Sequence, residues 1–85
     1  MRIYVHFDKE KEIYSAFSGK MSELEGIVFS CDIGSDFSSP EKIAYLESVL
    51  KNCNTILKGT SSQKNAINLT KTILISYGLN IKRSS

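Results

Sequence analysis

The side chains of this sequence that are suited to chemistry are few and scattered. His6 is the one group whose ordinary pKa lies near neutrality, which makes it the sole candidate general base of that kind. Cys31 and Cys53 are the only thiols. A Cys–His nucleophile needs the two side chains in contact, but the alternation and helical spacing described below put both thiols on apolar faces and His6 on the opposite side of its strand. Reduced cysteines acting as small hydrophobes are therefore expected. There is no CxxC spacing, and with one histidine a zinc site would have to recruit carboxylates. The acids Asp8, Asp32, Asp36 and Glu47 form the remaining constellation. Carboxylates gathered at strand ends can hold Mg²⁺ for phosphoryl chemistry, although acids at such positions more commonly just solvate the chain ends. Gly34-Ser35-Asp36 lacks the companion glycines and lysine of a phosphate loop. No catalytic residue, metal or cofactor is assigned.

Charge is distributed more informatively. No acid follows Glu47: residues 48–85 carry Lys51, Lys58, Lys64, Lys71, Lys82 and Arg83, a charge of +6. Residues 1–47 carry five basic residues against nine acids, a charge of −4, and the two halves give the net +2. A polarised chain favours a charged partner. Lys58, Lys64, Lys71, Lys82 and Arg83 are the candidate anion-binding residues. Lys64, Asn68, Lys71 and Ile75 fall on one helical stripe, while Lys51 and Lys58 are a heptad apart with Glu47 four residues before Lys51. Arginine is the preferred reader of phosphates and bases, and the basic half holds one. Nucleic-acid binding through this half is the alternative reading, limited to backbone contact.

The elements that must position these residues are legible. Residues 2–7 alternate Ile3, Val5 and Phe7 with Arg2, Tyr4 and His6, the period of a half-buried strand. Residues 12–17 read as a weaker strand with Ile13 and Phe17 on one face and Tyr14 and Ala16 on the other. Residues 26–33 are the clearest strand, with Ile27, Phe29, Cys31 and Ile33 inward and Val28, Ser30 and Asp32 outward. Ser39 before Pro40 marks a helix start. Ile43, Leu46, Leu50, Cys53 and Leu57 form its seam, widened by Val49 and Ile56, and Gly59 ends it. A second helix starts at Ser61 or Ser62 and buries Ala66, Ile67, Leu69, Thr70, Ile73, Leu74 and Tyr77. Gly78 suits the left-handed position after it, and residues 79–82 fit a short fourth strand.

Strands followed by helices indicate an α+β fold. The expectation is one small two-layer domain, residues 1–85, with a three-stranded antiparallel meander packed on a C-terminal helical hairpin. Such a sheet leaves one face open, and Tyr4, His6, Tyr14 and Val28 would share it as candidate protein-binding residues. In a meander the first and third strands run parallel, so Asp8 and Asp32 would reach one edge. On element order and those two acids, with no further acid-bearing strand, the chain resembles the opening of ribonuclease-H-like folds. That resemblance implies a metal-dependent nuclease.

Length and composition frame the class. At 85 residues, 41% apolar and 24% charged, this is a globular domain near the lower size limit for a self-sufficient core. No apolar run approaches the ~18–20 residues of a membrane span, and the first residues are too short and polar for a signal peptide. A cytoplasmic protein with no membrane partner is expected, for which the sequon at Asn68 has no role. Plentiful Ile, Lys, Ser and Asn fit an AT-rich bacterial or phage genome. The leading expectation is a non-enzymatic regulatory protein that binds another protein, of inhibitor, antitoxin or immunity type. Homodimerisation through Tyr4 and Tyr14 or an edge strand is a further one.

Overall fold

The computed structural model describes residues 2–19, 25–33 and 39–81. Three strands, β1 (Arg2–Asp8), β2 (Ile13–Gly19) and β3 (Ile27–Asp32), precede two helices, α1 (Pro40–Leu57) and α2 (Gln63–Ser76). The α+β layout is the expected one, an antiparallel sheet of three strands with the helices C-terminal. Its order is β2-β1-β3, with β1 antiparallel to both neighbours. The first strand rather than the second is central, so the sheet is not a meander. The apolar β1 is paired on both sides, consistent with Ile3 and Val5 being fully buried.

The β1–β2 turn is built by Asp8 and Glu12. Asp8 Oδ1 accepts from the backbone N–H groups of Glu10 (2.9 Å) and Lys11 (3.3 Å), a local bond that an Asp offers a turn. Glu12 takes a left-handed φ of 55°. This turn fixes the register that pairs Phe7 with Tyr14 and Val5 with Ala16. Residues directly opposite share a face, so Tyr14 and Ala16 join the core and Ile13 and Phe17 do not. That reverses the sequence reading of β2, whose apolar residues occupy both faces and leave the choice to the turn.

A bulge displaces β3. Val5 pairs with Phe29 but His6 pairs with Ile27, which leaves Val28 as the extra residue. Val28 therefore packs against the core, and Ile27 lies opposite His6. Gly26 permits the close approach before it: the Phe7 N–H donates to its carbonyl (2.8 Å), its φ is +87°, and a Cβ there would stand 2.6 Å from the Phe7 oxygen.

Both helices begin as their sequences predict. The Ser39 hydroxyl accepts from the Lys42 N–H, and the Ser62 hydroxyl from the Asn65 N–H. At the end of α2 Gly78 has φ +81°. Its N–H donates to Ile75 C=O and that of Leu79 to Leu74 C=O, the paired bonds of a Schellman motif. Leu79 is buried and Ile81 packs against the core, but residues 79–81 form no strand. The core sits between the helices and one sheet face, around Ile3, Val5, Cys31, Leu46, Leu57 and Leu74. No described helix is long and apolar enough to cross a membrane.

Candidate functional site

The four residues expected on an open sheet face are not brought together there. Tyr4 does face away from the helices, but it is 4% exposed and stacks on Phe17 with ring centroids 5.4 Å apart. His6 is half-buried, its ring edge-on to Phe17 at 6.5 Å. Tyr14 lies on the core face against Phe7 (4.7 Å), and Val28 is turned inward by the bulge. The expected aromatic patch thus divides between the two faces of the sheet.

The acids separate as well. Because β1 and β3 are antiparallel, Asp32 lies opposite Arg2, at the far end of the sheet from Asp8. Asp8 serves its turn, Glu47 is on α1, and Asp36 lies outside the described residues. Among the described residues no group of three or more His, Cys, Asp or Glu could hold a metal ion. The geometry that gave the ribonuclease-H-like resemblance its two neighbouring acids is absent. His6 borders a hollow with Asp8, Glu10 and Glu25.

Both thiols are free and fully buried. Burial pushes the Cys31 thiol above its usual pKa, with Asp32 adding to the effect and Lys71 and Arg2 opposing it. Burial likewise raises Cys53, opposed by its hydrogen bond to Thr70 Oγ1 at 3.7 Å. Raised thiols are poor nucleophiles, and the Thr70 hydroxyl completes this interior network by donating to Ala66 C=O (2.8 Å).

The lysines diverge. Lys71 places Nζ 5.0 Å over the ring of Phe29 on β3, a cation–π contact that holds it to that side of the helical layer. Lys64 is exposed, two helical turns before it on the same flank. Lys51 and Lys58 instead line a groove between α1 and β2, the opposite edge of the sheet. Lys82 and Arg83 lie outside the described residues.

That groove is shallow and widely open to solvent, with a volume of about 530 Å³. Ala16, Phe17 and Ser18 form its β2 wall, and Glu47, Lys51 and Lys58 stand on the α1 side. Its floor is set by a residue that sequence reasoning missed. The Asn54 side-chain amide accepts from the Ala16 N–H (2.6 Å) and donates to the Ala16 carbonyl (3.0 Å). A carboxamide bonded this way takes the place of the next strand's peptide group and closes the edge of β2 at that point. The legible signal was its spacing: Asn54 is seven residues after Glu47 and four before Lys58, on the flank beside the buried seam.

A second feature also went unread. Tyr45 and Tyr77 meet edge-to-face at 6.3 Å while remaining 46% and 38% exposed. The Tyr45 hydroxyl donates to the Tyr77 carbonyl (2.7 Å), and Asn52 Nδ2 donates to the Tyr77 hydroxyl (2.8 Å). Tyr77 was expected in the core, but it is the C-cap of α2 and stays at the surface. No family model matches this chain, and neither does any curated protein or solved structure.

Proposed function

We propose that this chain is a small, non-enzymatic regulatory protein that binds an acidic, extended segment of another protein in the groove between β2 and α1, and so inhibits or adapts that protein. The observation that carries this reading is the pair Lys51 and Lys58 standing over the edge strand β2. An edge strand accepts an extended chain alongside it, and two ammonium groups against the single Glu47 carboxylate leave the facing wall net basic, which favours carboxylates. Asn54 already fills the ladder at Ala16, so the segment would rest on the lysine-bearing flank of α1 instead of pairing along all of β2. Inhibitor, antitoxin and immunity-type roles suit a domain that offers such a groove to a partner chain. The divergence of the lysines to opposite flanks weakens the nucleic-acid reading, which needs one continuous basic track.

Fluorescence anisotropy tests this with a labelled peptide of alternating Glu and Val, beside a single-stranded oligonucleotide of equal length. Lys51→Glu with Lys58→Glu is expected to weaken peptide binding at least ~10-fold, and Lys64→Glu with Lys71→Glu to change it little. Tighter binding of the oligonucleotide, with steep loss as salt rises, would overturn the proposal and restore the nucleic-acid alternative. So would equal sensitivity of peptide binding to both lysine pairs, or no peptide binding.

A further inference from the structure

The outer seam of the helical hairpin carries no charge over most of its length. On α1 this flank runs through Tyr45, Ser48, Asn52 and Ile56, and on α2 through Asn65, Leu69, Thr72 and Ser76. Glu41 and Lys42 lie at the start of α1, a charged end to an otherwise neutral face. Depletion of charge with exposed aromatic residues is the compositional mark of an interface centre. The seam also has relief. At one end the hydrogen-bonded Tyr45–Tyr77 pair projects as a preorganised knob. At the other, around the α1–α2 turn, lies a shallow hollow of about 410 Å³ lined by Gly59, Thr60, Asn65, Leu69 and Thr72 among others, none of them charged. Ile56, on the same flank of α1, is 48% exposed.

We propose that the occupant of this face is a second copy of the chain, related by a two-fold axis. A knob and a hollow on one face are self-complementary: rotation by half a turn seats the aromatic pair of each copy in the hollow of the other. Charge selects the face. The helical half has no acid after Glu47, so two copies meeting through either lysine flank would oppose like charges, whereas the seam meets itself without repulsion. Size sets the strength. Two helices side by side, each about 10 Å across and about 27 and 21 Å long, offer a footprint of about 480 Å², below the ~800 Å² per partner of standard interfaces, which suits a weak, reversible dimer. The lysine groove lies on the opposite flank of α1 and remains open in such a dimer, so this inference stands apart from the peptide-binding reading.

Sedimentation equilibrium from low micromolar to submillimolar concentration tests it, with fold checked by circular dichroism. The wild-type chain is expected to approach twice its 9.5 kDa mass. Thr72→Arg, which puts one cation in each hollow of the dimer, is expected to weaken association at least ~10-fold. Tyr45→Ser should weaken it comparably by removing half of each knob, and Lys64→Glu, off the seam, should not. Thr72 and Tyr45 are exposed, so neither change empties the core. A wild-type chain that stays monomeric throughout would overturn the proposal. So would a dimer indifferent to both seam substitutions, or one as sensitive to Lys64→Glu.

Discussion

Asn54 shows how much one side chain can decide. Its amide satisfies both backbone groups of Ala16 on the free edge of β2 and joins α1 to the sheet. Asn54→Ala is expected to lower stability by about 1–2 kcal/mol, since two part-buried polar groups lose their partner, with the loss read as a lower urea midpoint. The buried thiols make a second prediction. Both Cys31 and Cys53 are pushed above their usual pKa of 9.0. Below that value both states keep the thiols protonated and stability is indifferent to them. As pH rises past it the unfolded chain ionises first and binds fewer protons than the folded one, so stability should fall until the folded thiols ionise too. Urea midpoints at increasing alkaline pH check this, with Cys53→Ala expected to flatten the decline once its lower baseline is allowed for. At this scale the sequence was partly legible. Burial of both cysteines follows from their positions in apolar runs, but the Asn54–Ala16 bond joins residues 38 positions apart, and no local pattern announces it.

Individual elements differ in how far local chemistry specifies them. The helices are over-determined: a serine cap, a proline at the first position of α1 and a left-handed glycine after α2 all agree with the apolar spacing. Their extents could be read nearly residue by residue. The two terminal glycines are not equivalent, however. Gly78 has a positive φ, whereas Gly59 is absent from the left-handed region and a Cβ there would meet only the Ile56 carbonyl at 3.9 Å. Gly78→Ala is therefore expected to cost about 1 kcal/mol and Gly59→Ala close to nothing, a contrast measurable by thermal unfolding. Strand β2 is the opposite case. Tyr14, Ala16 and Phe17 give it apolar residues on both faces, and the turn at Asp8 and Glu12 fixes which face is buried. The bulge at Val28 shifts the phase of β3 in the same way. Alternation alone carries neither piece of information, and for that reason the expected patch of Tyr4, His6, Tyr14 and Val28 came apart.

Across the whole molecule, the polarised charge visible in the sequence survives but is divided. Lysines 51 and 58 border β2, while Lys71 crosses Phe29 on the other side, with Lys64 on its flank. The α+β class followed from element order. The central place of β1 did not, since strand order depends on a connection whose residues carry little pattern. With the basic groove on one flank of α1 and the neutral seam on the other, peptide binding and self-association should respond to different substitutions. The most direct measurement is a titration of the isotope-labelled protein with the alternating Glu–Val peptide, followed by amide chemical shifts. The account predicts concentration-dependent shifts concentrated at Ala16, Ser18, Lys51, Asn54 and Lys58, with α2 nearly still. Shifts centred on Lys64 and Lys71, spread over the whole surface, or absent at saturating peptide would contradict it.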